Sequence, residues 1–191
     1  MAFMVHIESM ATIDLDAAIE FAAKAHRGQI RDGEAPLPYI THPIDVLANL
    51  RYLGGVTDLE MLCAAILHDV VEESDVSFED LEQRFGKRVR ELVQELTRRE
   101  PTSLETEGMD RDAIWELRSQ WLLEEISKMS PDAQAIKLAD RYSNLNESRR
   151  VKLGRKLKRY NEQTAKILKI VPKSVNPGLW QAIQDLRATI G

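Results

Sequence analysis

The chain holds one cysteine, Cys63, among 191 residues. That excludes an internal disulfide and a cysteine-rich zinc site, and it fits a reducing cytoplasm. Any metal must therefore be held by imidazole and carboxylate, a donor set that suits manganese, iron, zinc, cobalt or magnesium. No apolar run approaches the roughly 20 residues that span a bilayer, so no membrane partner is expected. The first residues lack a basic segment followed by an apolar one, and no secretory leader is expected. An excess of positive charge is missing as well: 26 basic residues face 31 acidic ones, for a net charge of −5. That balance argues against general nucleic-acid binding. Convincing apolar–polar alternation is absent, while helical periodicity runs nearly throughout. The expectation is an all-α bundle of about eight to nine helices in a single domain.

Capping and breaking residues divide the chain. Thr12 or Asp14 starts a first helix that ends near His26, with Gly28 close to its C-cap. Residues 29 to 40 form a loop by their Gly and Pro content. Thr41 or His42 opens a second helix, with Pro43 in its first turn, running to about Leu53. Asp58 caps a third, Leu59 to about Glu73, whose first half is apolar on nearly all sides and therefore buried. Ser77 and Asp80 form a capping-box start for a short fourth helix ending near Phe85 and Gly86. Residues 87 to 97 make a fifth. A loop over 98 to 109, read as mobile, precedes a long helix from Asp110 to about Met129. Ser130 and Pro131 start the next, and two more cover about 155 to 171 and 177 to 190.

The chemistry concentrates at the end of the third helix. His68, Asp69, Glu72 and Glu73 fall within six residues, directly after the apolar run. On a continuous helix His68 sits over Glu72 and Asp69 over Glu73. A His-Asp pair alone is weak evidence, and the plainer reading is a polar helix end. Two other segments set polar groups against apolar runs. Tyr39 to Pro43 carries His42, which the plainer reading makes a helix cap. Ala135 to Asn144 carries Asp140, with Asn144 one turn on, and there the plainer reading pairs Asp140 with Lys137 or Arg141 at a surface. Together His42, His68, Asp69 and Asp140 offer two imidazoles and two carboxylates, a plausible set for a divalent first-row ion. Residues 149 to 159 hold seven basic side chains. They are either a solvated helix start or a positive wall facing an anionic substrate.

Five segments then carry a resemblance. They are Ala25 to Arg31, Pro38 to Pro43, Ala64 to Glu73, Phe85-Gly86 and Lys137 to Leu145. Their order and spacing resemble an HD-domain hydrolase of the RelA/SpoT alarmone type, and most nearly the stand-alone small alarmone hydrolases, over about residues 12 to 165. The resemblance implies a manganese-dependent 3′-pyrophosphohydrolase acting on (p)ppGpp and releasing pyrophosphate. By motif match His42, His68, Asp69 and Asp140 hold the metal. Glu72 and Glu73 fall on the paired acids that position and activate the attacking water. Arg31 falls on a substrate-binding residue, and Asn144 on one lining the nucleoside pocket.

Three features depart from that pattern. Glu73 stands where the family usually has Asp, Asp32 follows Arg31 where relatives are often basic, and residues 98 to 130 do not align. Arg111 and Arg118 are the phosphate-binding candidates in that stretch, and the basic run from Arg149 could compensate. Two alternatives stay open. One is an HD phosphohydrolase acting on another nucleotide or a phosphorylated dinucleotide cofactor. The other is a non-catalytic alarmone-binding module. Oligomeric state is not legible.

Overall fold

A computed structural model describes residues 13 to 31, 36 to 151 and 154 to 190. Thr12, Asp32 and Lys152 lie outside the described residues. Ten helical segments follow in order: α1 Leu15–Ala25, α2 Thr41–Tyr52, α3 Leu59–Leu67, α4 Val70–Glu73 and α5 Phe78–Phe85, then α6 Lys87–Leu96, α7 Arg111–Lys128, α8 Pro131–Val151, α9 Arg155–Ile170 and α10 Pro177–Ala188. Among the described residues the β structure is one isolated bridge, Ile30 with Pro38. None of the helices is long and apolar enough to cross a membrane. The chain is all-α, as its periodicity indicates.

Local chemistry sets most boundaries. Asp14 caps α1 by accepting from the Asp16 N–H at 2.9 Å. Gly28, just past that helix, takes a positive φ of 82°, a conformation that strains any residue with a Cβ. Asp58 accepts from the Met61 N–H at 3.0 Å and caps α3. Ser77 and Asp80 form the reciprocal capping box of α5. Thr41 opens α2 as expected. It is the first helical residue after Ile40, its hydroxyl donates to the Pro38 carbonyl at 2.8 Å, and the helix has no side-chain cap.

Every residue from Met61 to Leu67 is buried, so α3 is the apolar axis of the bundle. It packs against α1, α2, α6 and α8. At its start Arg88 of α6 gathers Asp58, Glu60 and Asp132 at 2.6 to 2.9 Å, joining the ends of three helices. The second axis is α8, which contacts α2, α3, α6, α9 and α10. It buries Lys137, Asp140, Arg141 and Ser143 along with its apolar residues. The N-terminus of α10 closes on the end of α2. A Cβ at Gly178 would lie 2.2 Å from the Leu53 carbonyl oxygen, so only glycine fits there.

The third helix expected over Leu59 to Glu73 is not continuous. It breaks after Leu67 and resumes as the single turn α4. The buried His68 Nδ1 hydrogen-bonds the Ala65 carbonyl at 2.9 Å, competing with the backbone ladder at the helix end. Asp69 then sits at φ −99°, ψ −6°. Splitting that helix is why ten segments stand where eight or nine were expected. The expected stacking of His68 over Glu72 and Asp69 over Glu73 is also corrected. His68 meets Asp69 itself, and Glu72 reaches a different element.

Candidate active site

Four side chains converge where the break in α3 meets α2 and α8. His42 comes from the first turn of α2, His68 and Asp69 from the break, and Asp140 from the middle of α8. One ligand atom each of His42, His68 and Asp69 lie within 4.8 Å of one another. His68 Nε2 is 3.1 Å from Asp69 Oδ1 and 3.9 Å from Asp140 Oδ1. His42 Nε2 is 3.4 Å from Asp140 Oδ1 and 3.6 Å from Asp69 Oδ2. The outer nitrogens are engaged elsewhere, His68 Nδ1 by Ala65 and His42 Nδ1 by the Ser143 hydroxyl at 3.1 Å. Both rings thus turn Nε2 inward, the orientation that a histidine needs to ligate an ion.

The electrostatics are those of a cation site. Burial alone would push the Asp69 carboxyl up, but the His68 and His42 rings pull it far below its usual range. Burial acts the same way on Asp140, and the Lys137 ammonium at 2.9 Å overcomes it. Burial would lower the His68 pKa, yet Asp69 and Asp140 hold it above the ordinary value. An imidazole nitrogen buried between two carboxylates is a place where a cation other than the proton can bind. His68 Nε2 is fully buried and lacks an aligned hydrogen-bond partner. That orphaned nitrogen, with two oxygen donors beside it and no thiolate, fits a divalent metal ion.

Tyr39, unremarked in the sequence beyond its motif, donates to Asp69 Oδ2 at 2.8 Å. Its ring centroid is 4.8 Å from that of His26 and 5.3 Å from the Arg31 guanidinium carbon. The loop sets this up through two backbone bonds, Arg31 N–H to Leu37 O and Tyr39 N–H to Gln29 O, both 2.9 Å.

A cavity of about 380 Å³ opens from this cluster toward α7 and α9. Six cations line it: Arg31, Arg98, Arg99, Arg118, Lys137 and Arg141. A second cavity, about 260 Å³, lies beside it and shares Arg31, Tyr39 and Asn144 as walls. A metal-type cluster opening into cation-lined space is suited to holding and cleaving a phosphate ester.

A family model described as HD domain matches residues 18–169. The chain belongs to the HD domain family. The human guanosine-3′,5′-bis(diphosphate) 3′-pyrophosphohydrolase MESH1 is 38% identical over 134 residues, 70% of this chain and 68% of that protein. The mouse protein of the same name is 34% identical over 174 residues, 88% and 90% of the two chains. A solved metazoan ortholog of SpoT, described as hydrolysing ppGpp and acting in starvation responses, superposes with a TM-score of 0.79. It is 29% identical and covers 93% of this chain and 95% of that one.

Within this HD domain, the remaining candidates separate. Glu72 accepts from the Arg98 backbone N–H at 2.8 Å and from its guanidinium at 2.8 and 3.0 Å. Glu73 is exposed, and its carboxylate has no hydrogen-bond partner among the described residues; its backbone carbonyl accepts from Gln29. The two acids are therefore held differently in this arrangement. Arg31 is bound by Glu147 and donates to Asn144 Oδ1 at 3.1 Å, while Asn144 donates in turn to Asp140. Sequence spacing does not announce Glu147. Arg118 lines the main cavity and pairs with Glu100 at 2.8 Å, whereas Arg111 is exposed and lines neither cavity. The plainer reading placed Asp140 at a surface; instead it is buried, with Lys137 as its partner.

Residues 149 to 159 had two readings, a solvated helix start or a positive wall, and none of their described basic side chains lines either cavity. Arg155 and Arg159 both bind Asp112, and Arg159 stacks over Trp115 at 4.1 Å. Arg98 and Arg141 were missed. Arg98 follows a helix end with no spacing to mark it. Arg141 had a signal: it lies one turn after Lys137, directly after the apolar Leu138 and Ala139 and the buried Asp140.

Proposed function

We propose that this HD domain hydrolyses guanosine 3′,5′-bis(diphosphate) at its 3′ end, giving GDP and pyrophosphate. One observation carries the reading. His42, His68, Asp69 and Asp140, drawn from three parts of the fold, converge beside a cavity lined by cations. The relatives that cover most of this chain carry that activity in their names.

In this reading the four converged residues hold the ion, and manganese is the ion expected. When bound, it acidifies water and offsets charge on the phosphoryl group. The chain's own residues do the rest. Arg31, released from Glu147, holds a substrate phosphate through its planar fork. Asn144 meets the nucleoside at the wall between the two cavities. Glu72, oriented by Arg98, accepts a proton from the attacking water. The water oxygen bonds to the phosphorus nearest the ribose. The 3′ O–P bond breaks, its electron pair stays on the 3′ oxygen, and a proton returns there. Glu73 is the second acid of the pair and acts from the exposed side. The activity is placed in one domain comprising the whole chain, with α9 and α10 packed on it, working in the cytoplasm on a small nucleotide.

The test is to incubate the manganese-loaded protein with ppGpp and a nucleotide panel and follow GDP and pyrophosphate. Turnover of another nucleotide without ppGpp turnover sinks the reading. Saturable ppGpp binding without turnover in any metal favours a binding module instead.

A further inference from the structure

The cations of the main cavity are not equivalent. Arg31 is bound to Glu147, Arg98 to Glu72, Arg99 to Glu105, Arg118 to Glu100 and Lys137 to Asp140. Arg141 is the exception among the described residues. It is 4% exposed, and no carboxylate lies within ion-pair distance. Its Nη1 is buried with no hydrogen-bond partner. The Tyr160 ring, 4.5 Å from the guanidinium carbon, engages the face of the fork and not its in-plane donors. A guanidinium taken out of water without an anion is unfavourable, and one placed beside a cavity is suited to receive an oxyanion.

Position narrows the anion. Arg141 lies one helical turn beyond Lys137, on the same face, and Lys137 is 2.9 Å from Asp140. Arg141 lines the same cavity as His42, Asp69 and Asp140. Lys137 is neutralised by Asp140 and cannot serve the same purpose. We infer that Arg141 binds the far phosphate of the 3′-diphosphate and, after cleavage, the pyrophosphate product. This rests on the hydrolase reading above and adds to it the residue that holds the leaving group. The planar fork matches a pair of phosphate oxygens, and burial strengthens the contact over one made in water. Stacking on Tyr160 keeps the fork fixed before the ligand arrives. The 5′-diphosphate of the same substrate shares this chemistry, so the two ends need separate probes.

Titration calorimetry with inorganic pyrophosphate and with GDP, metal in excess, compares the wild type with Arg141→Gln and Arg141→Lys. Melting temperature and metal affinity are read alongside. The expected result for Arg141→Gln is pyrophosphate binding weaker by roughly tenfold or more, with GDP and metal affinity unchanged. Arg141→Lys keeps the charge but loses the fork and should fall between. Unchanged pyrophosphate affinity in a folded Arg141→Gln overturns the inference, as does a loss confined to GDP. Should Arg141→Gln not fold, Arg141→Lys decides: a several-fold loss supports the assignment, and wild-type affinity overturns it. If the wild type fails to turn over ppGpp, the hydrolase reading falls while a pyrophosphate difference still stands. If the wild type turns over ppGpp and Arg141→Gln keeps its sensitivity to pyrophosphate inhibition, this inference falls alone.

Discussion

Two helices run through the middle of this protein, and they are buried in opposite ways. In α3 the seven residues from Met61 to Leu67 are all apolar and all buried. In α8 the buried set includes Gln134, Lys137, Asp140, Arg141, Ser143 and Ser148. The first helix holds the bundle together, because removing apolar surface from water is the main favourable term in folding. The second gives up part of that gain to bring charge inside, and each buried charge must then find a partner. Asp140 finds Lys137 and the two histidines, Asn144 finds Asp140, and Arg141 is left with an aromatic face. The site forms where the two meet. The apolar helix ends at Leu67, and the next two residues turn toward the polar face of α8.

That contrast can be broken at several points. The largest effect is expected at Glu72, whose partner Arg98 lies outside both helices. Glu72→Gln should lose roughly two to four orders of magnitude in turnover while its metal content stays at the wild-type level. A wild-type rate would show that another group takes the proton. Next comes the apolar helix. Ile66 is fully buried, and Ile66→Ala should cost about 2–5 kcal/mol of stability by denaturant unfolding. The metal affinity of the molecules that remain folded should not change. If it did, the division of labour between α3 and α8 would be wrong.

A smaller effect is expected at Tyr39, which touches the site without belonging to either helix. Tyr39→Phe removes the hydroxyl that holds Asp69 Oδ2 and should weaken metal binding by roughly tenfold. Chelator competition measures this directly, and unchanged affinity would reduce the tyrosine to packing. The smallest effect sits inside α3. Burial pushes the Cys63 thiol up to about 11. The folded protein should therefore resist alkylation at pH 8, and reactivity should appear with unfolding. For stability the sign follows from a raised thiol pKa. The contribution is complete below the unfolded thiol's value and is lost as pH rises through about 11. Cys63→Ala should remove that alkaline loss, seen as a flatter dependence of melting temperature on pH.

Legibility in the sequence followed the same division. The helices stabilised by apolar stripes and caps were readable from local pattern, as Asp14, Asp58 and Ser77 show. The interruption at His68 and Asp69 was not readable, because neither residue is a helix breaker. The break comes from a side chain bonding back to the Ala65 carbonyl and from contacts with Tyr39 and α8. His42, His68, Asp69 and Asp140 were singled out from the motif segments, and the fold brings all four together. What escaped notice were partners distant in sequence: Arg98 for Glu72, Glu147 for Arg31 and Tyr39 for Asp69. The basic run after Arg149 left two readings open for a related reason. Charge density says how many cations a segment has, but packing on α7 decides where they point, and Asp112 claims two of them.

The central claim is that the end of the apolar helix and the polar face of α8 together hold a catalytic ion. Metal analysis of the purified wild type, His68→Ala and Asp140→Ala tests it most directly, with melting curves to confirm folding. The account predicts a tightly held divalent ion in the wild type and its loss from both folded variants. Retention of the ion at wild-type affinity by folded Asp140→Ala would contradict it, because α8 would then contribute no ligand.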